Sequence, residues 1–300
     1  MKTVLLVCAA LLAGVASAAS ALPPGDAQAQ EFHLAKKMTV KQAALSPKAG
    51  LKIYNGLDAK PGQFPSYVAM YVNMDSFCGG SLIHPKWVLT AAHCVEAGSL
   101  WTLFLGALSL QLPKEAGRQI HVTRAAYTHP DYVRYGDFEN DDIYLNDVGL
   151  IQLPEPVQMP ADGRIGVVKL PDPTTQLVLS SETVVPGFGV VGDEVNVLSR
   201  TLKFTKLPLA SSDLCYNYYG IADPSIICVN TVDVRASTCG GDDGGPMIQM
   251  DDTGVSVQVG ITSFWARIGC TVGSPVGFTS VAQFVPWIEE ATGMRYPFNS

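Results

Sequence analysis

From residue 53 almost to its end, the chain is built of short apolar runs, each closed by a turn residue. Ser66–Val72, Gly80–Ile83, Trp87–Thr90, Leu100–Leu105, Val148–Leu153, Thr183–Val185, Thr201–Leu207, Pro246–Gln249 and Val255–Ser263 are rich in Val, Ile, Leu, Phe and Tyr, and Gly, Pro, Asn or Asp punctuates them. Runs this short suit strands better than helices. Many of them at turn-bounded spacing predict an antiparallel sandwich or barrel, so the fold class is all-β. One late segment reads differently. In Val281–Thr292, Phe284, Val285, Ile288 and Ala291 recur at helical spacing and Gly293 can end the helix. Hydrophobic residues make up 47% of the chain and charged residues 16%, enough apolar material for a sizeable core and too much for disorder.

The first residues point to export. Lys2 gives a positive start, Val4–Val15 a short apolar stretch, and Ala16-Ser17-Ala18 a small-residue cleavage site, so residues 1–18 read as a signal peptide. The stretch is too short to span a bilayer, and no later segment approaches the ~18 apolar residues that spanning needs. Residues 19–52 are rich in Ala, Gln, Lys and Pro without periodicity and read as a pro-segment, which leaves 53–300 as one domain. Cys8 lies in the signal segment. The other six cysteines, Cys78, Cys94, Cys215, Cys228, Cys239 and Cys270, suit disulfides in a secreted chain, and spacing alone leaves fifteen pairings open. The formal net charge of −7 disfavours nucleic acid and anionic membrane as partners.

Four motifs stand in order: Lys52 followed by Ile53-Tyr54-Asn55-Gly56; Thr90-Ala91-Ala92-His93-Cys94; Asn146-Asp147-Val148-Gly149-Leu150-Ile151; and Gly240-Gly241-Asp242-Asp243-Gly244-Gly245-Pro246. Together they resemble the chymotrypsin-like (S1) serine protease family, from Lys52 to the C-terminal helix, and the body is most similar to arthropod chymotrypsin- or brachyurin-type digestive proteases. The resemblance implies two six-stranded antiparallel β-barrels with a cleft between them and a C-terminal helix. It also implies the pairings Cys78–Cys94, Cys215–Cys228 and Cys239–Cys270. His93 resembles the general base and Asp147 the carboxylate that orients it. Asp141 and Asp142 are nearby competitors, but only Asp147 precedes the apolar strand in the family's way. Ser263 resembles the serine that bonds the buried aspartate.

The chain departs from the family at the nucleophile. The family motif reads GDSGGP; here it reads Gly241-Asp242-Asp243-Gly244-Gly245-Pro246. The mechanism needs a neutral hydroxyl that yields its proton to imidazole and attacks a carbonyl. A carboxylate has no such proton at neutral pH, and it brings negative charge to where the amides of Gly241 and Asp243 would receive an oxyanion. The chain is therefore expected to be an inactive homologue that binds a protein or peptide, with a working endopeptidase as the alternative. Asp243 is also expected to pair with His93, so that Asp147 and Asp243 together hold it as imidazolium.

By the same resemblance Ser237 forms the base of the specificity pocket, while Trp265 and Val276 replace wall glycines and narrow it. A trypsin-like protease is expected to cut at Lys52-Ile53, after which the new amino terminus pairs with Asp242. No cofactor or metal is expected. Asp137, Glu139, Asp141 and Asp142 lack an EF-hand pattern and read as a solvated loop.

Overall fold

The structure is a computed structural model. It describes residues 56–135, 142–174, 177, 182–190, 192–193 and 197–295. The proposed signal and pro-segments, the Lys52-Ile53 bond and the acidic positions 137, 139 and 141 lie outside them.

Two antiparallel sheets dominate. The first runs in the order β6 (Gln119–Thr123), β5 (Trp101–Leu105), β2 (Tyr67–Val72), β3 (Ser76–His84), β4 (Trp87–Thr90), β10 (Gly149–Gln152), β7 (Ala126–Thr128). The second runs β1 (Leu57–Asp58), β12 (Lys203–Ala210), β11 (Glu182–Gly187), β14 (Pro246–Met250), β15 (Ser256–Trp265), β16 (Val276–Ser280), β13 (Ile226–Val229). A further pairing of β12 with β13 closes six of these strands into a barrel, with β1 appended outside. β8 (Val133–Tyr135) and β9 (Ile143–Leu145) form a separate two-stranded ribbon. The second half closes, whereas no pairing among the described residues joins β6 to β7, so the first half is a curled half-barrel.

Side-chain alternation explains how the halves join. On β2, Val68, Met70 and Val72 enter the core of the first sheet, while Tyr67, Ala69 and Tyr71 face the other way, into a seam with Phe104, Phe188 and Leu202. Both faces are covered, so all six residues are buried. The second barrel has its own core around Val185, Leu207, Val229, Met247, Val259 and Phe278.

The helix expected at Val281–Thr292 is present with those limits, and Gly293 ends it in the left-handed conformation, its N–H donating to the Glu289 carbonyl. Val281, Phe284, Val285 and Ile288 pack into the core of the first half, so the C-terminal helix of the second half straps the two together. Two shorter helices escaped the sequence pattern, Ala92–Glu96 (α1) and Ser212–Tyr219 (α2), so the C-terminal helix is α3. α2 carries good end signals: the Ser211 side chain accepts from the Asp213 N–H, and Gly220 is left-handed. Its apolar stripe is missing, since Cys215 is its only buried residue, and a search by hydrophobic period passes over it. Among the described residues no helix is long and apolar enough to cross a membrane.

Candidate active site

The cleft side chains come from both halves. His93 sits on α1, just after β4. Asp147 sits between β9 and β10. Ser263 lies on β15, and Asp243 in the turn before β14. The turn at Asn146 aims Asp147 inward: Asn146 is left-handed (φ 52°), which asparagine tolerates, and its side chain donates to the Asp131 carbonyl at 2.7 Å.

Asp147 is fully buried and its carboxylate accepts three hydrogen bonds. The His93 backbone N–H donates to Oδ1 at 2.9 Å and His93 Nδ1 to Oδ2 at 2.8 Å. The Ser263 hydroxyl donates to Oδ2 at 2.6 Å. Thr279 Oγ1 donates to the Asp147 carbonyl at 3.1 Å. This network fixes the imidazole orientation, and Nε2 lies 3.5 Å from the Cys94 sulfur. Tyr144 stacks on the ring, with centroids 4.6 Å apart and planes 20° apart. Thr279 and Tyr144 were not legible as site residues. Neither carries a motif, and strand pairing and the β9 ribbon bring them in.

Burial alone pushes the His93 pKa down. The charge of Asp147 and its hydrogen bond outweigh that, and Asp243 and Glu96 add to the pull, which carries it up to about 9. The His93 ring resonances are therefore expected to titrate near pH 9. A midpoint at the ordinary 6.5 would show that the buried carboxylate does not hold the proton.

Asp243 does not pair with His93, contrary to the expectation. No carboxylate oxygen of Asp243 lies within 4.0 Å of the imidazole nitrogens, and Asp147 is His93's ion-pair partner. The Asp243 side chain instead turns back on its own turn. Its Oδ2 accepts from the Gly241 N–H at 3.3 Å. Gly241 has φ +90°, a conformation that side chains rarely adopt, and this turns its N–H inward. Hydrogen bonding satisfies Asp243 better at the Gly241 amide than across the cleft, and His93 acts on it only at longer range. Burial pushes the Asp243 carboxyl up from the ordinary range, and His93 and the amides oppose this. The turn is anchored to the first half through the Gly79 N–H, which donates to the Asp243 carbonyl at 2.7 Å.

Asp242 is buried deeper. Its Oδ1 accepts from the Gly189 N–H at 2.7 Å and its Oδ2 from the Cys239 N–H at 3.0 Å. A Cβ on Gly187 or Gly189 would strike this carboxylate, so the Gly187-Phe188-Gly189 stretch is shaped to receive it. No cation among the described residues lies within ion-pair distance.

Ser237 is buried, and its hydroxyl donates to the Thr238 carbonyl at 2.9 Å. Val276 is fully buried and pairs across the ladder with Trp265. The Trp265 indole reaches from β15 toward the Gly240 turn, ending 3.8 Å from where a Cβ on Gly240 would sit. The disulfides are Cys78–Cys94, Cys215–Cys228 and Cys239–Cys270. Cys78, His93 and Cys94 bring metal-ligating atom types together, but both sulfurs are committed to a disulfide and offer no thiolate.

The trypsin family model matches residues 53–288. The chain belongs to the trypsin family. Among its relatives in the family are brachyurin of Leptuca pugilator, 33% identical with 81% of this chain and 99% of that one covered, and collagenase of Hypoderma lineatum, 32% identical with 82% and 89% covered. The solved HL collagenase structure superposes with a TM-score of 0.68 at 31% identity, covering 81% of this chain and all of that one. Human heparin binding protein gives a TM-score of 0.67 at 27% identity, covering 83% of this chain and all of that one. The half-barrel, the closed barrel and the C-terminal helix are the trypsin-like fold.

Proposed function

We propose that this trypsin-family chain is a secreted homologue without peptidase activity, which binds a protein or peptide at its cleft after a trypsin-like protease cuts Lys52-Ile53. The observation that carries the reading is the Asp243 carboxylate at the nucleophile position, accepting from the Gly241 N–H at 3.3 Å. In this family's chemistry the N–H groups that match Gly241 and Asp243 stabilise the oxyanion, and that electrostatic contribution is usually the largest single one. Here one side chain takes the place of the nucleophile and occupies one of the oxyanion-hole amides. Attack by the carboxylate itself would yield an anhydride, and an acyl oxygen would have to displace an anion to enter the hole. His93, Asp147 and Ser263 keep the arrangement of base, orienting carboxylate and supporting serine, so the scaffold is sound while the reacting group is absent. The buried Ser237 and Val276, with Trp265 reaching toward Gly240, support a narrowed specificity pocket. The three disulfides and the signal-like residues 1–18 support export.

The names of the relatives favour a second reading, a secreted endopeptidase of chymotrypsin- or collagenase-like specificity. It requires a nucleophile other than residue 243. A fluorophosphonate probe separates the two, because it labels an activated serine. The trypsin-cut and repurified chain is expected to remain unlabelled and to leave casein intact. Stoichiometric labelling with casein hydrolysis would establish the second reading.

A further inference from the structure

Three carboxylates hold the loops around the cleft, and each does so through backbone donors. Asp243 takes the amide of Gly241. Asp242 takes those of Gly189 and Cys239. Asp193 takes the Cys270 N–H at 2.7 Å, the Thr271 N–H at 3.1 Å and the Thr271 hydroxyl. Gly269, at φ +133°, leaves room for this last carboxylate, which a Cβ there would strike. The segments so tied are the Gly187–Val190 stretch, the turn from Ser237 to Gly244 and the loop at Gly269–Thr271, all gathered about the Cys239–Cys270 bridge.

Backbone amides turned into a site form a nest for an anion. Left empty in a partly buried site, they are unsatisfied donors, and the peptide relaxes toward another arrangement. Something must therefore hold them. An ion pair between Asp242 and a new amino terminus could do so only after a cut. Asp243 and Asp193 need no cut, because every donor they use is present in the intact chain.

We infer that Asp243 acts as a built-in anion which, together with Asp193, holds the Gly241 amide of the oxyanion hole and the adjoining loop in their receiving arrangement before any cleavage, so that binding at the cleft does not wait for the cut at Lys52-Ile53. Asp243 and Asp193 are thus positioning residues. The inference rests on the non-catalytic binding reading and adds its regulation: the cut is uncoupled from the shape of the site.

Hydrogen exchange read by mass spectrometry tests it, with an uncuttable Lys52→Gln chain compared with the cut wild type. Peptides covering 187–190, 237–244 and 269–271 are expected to exchange at rates that differ by less than about tenfold between the two. In the uncut background, Asp243→Ala is expected to speed exchange at 237–244, and Asp193→Ala at 269–271, by about tenfold or more. If Asp243→Ala does not fold, Asp243→Asn keeps the outline, loses the charge and is read the same way. Exchange at 237–244 faster by about tenfold or more in the uncut Lys52→Gln chain than in the cut one, or wild-type rates in the uncut Asp243 variant, would overturn the inference. Casein hydrolysis is measured on the same samples. Activity in the cut wild type would remove the non-catalytic reading and leave the ordering result standing, whereas loss of order on blocking the cut would do the reverse.

Discussion

Asp243→Ser is expected to turn the cut chain into a working endopeptidase, with kcat/KM on peptides rising by roughly 10³-fold or more over the unaltered chain. The change does two things at once. It supplies the hydroxyl that His93 can deprotonate, and it withdraws the carboxylate from Gly241 N. Removing the nucleophile of an analogous triad lowers turnover by roughly 10⁶-fold, which bounds what restoring it can return. The return falls short of that bound because Val276 is fully buried beside Trp265, where an open pocket carries glycine. Small side chains at the cleaved position are thus expected to be preferred over large ones. The rest of the machinery stands ready: Asp147 holds His93 at 2.8 Å, and Ser263 holds Asp147 at 2.6 Å. An active variant beside a silent parent would place the defect at residue 243 alone. If both were silent yet folded, the pocket would be closed as well. A parent as active as the variant would end the non-catalytic reading.

What could be read in the sequence was of two kinds. Short apolar runs closed by turn residues marked the strands, because the regular elements and their ends leave a trace in residue type. The helix at 281–292 was legible for the same reason: its apolar residues recur at helical spacing and Gly293 closes it. The motifs gave the order of His93, Asp147 and residue 243, because chemistry constrains residue type more tightly than packing does. The direction of a side chain was not legible. Asp243 seemed destined for His93 because opposite charges attract. Nearby amide donors at fixed geometry won instead, since a short tethered carboxylate reaches its own backbone more easily than it crosses a cleft. Closure of one sheet and not the other also depends on how far the end strands curl, which no run of residues encodes by itself. Asp193 was invisible for a related reason. It bonds residues 77 and 78 positions away, and only the folded loops bring them together.

The uncut chain is expected to lose stability as pH rises from about 4 to about 7, with Asp242 as a cause and the raised Asp243 carboxyl acting in the same direction. Burial pushes its carboxyl up first and the neighbouring Asp243 charge adds to this; the Cys239 and Gly189 amides oppose it, and the pKa settles at about 7 against an ordinary 3.8. The folded chain therefore keeps a proton through this window that the unfolded chain has given up. Stability then falls with rising pH, by about 4 kcal/mol over the whole window for a shift of this size. His93, raised to about 9, has the same sign in a higher window: its contribution is full below pH 6.5 and is lost as pH rises through 9. The two separate by substitution. In urea unfolding of the Lys52→Gln chain, Asp242→Asn is expected to make the slope between pH 4 and 7 shallower, leaving the part that the raised Asp243 carboxyl contributes, and to leave the higher window unchanged. Cutting at Lys52-Ile53 is expected to make the slope in the lower window shallower too, because an ammonium delivered to Asp242 favours the ionised carboxylate and draws its pKa back down. An unchanged slope in Asp242→Asn would mean that this carboxyl is ionised without a cation. An unchanged slope after the cut would mean that the new terminus never reaches it.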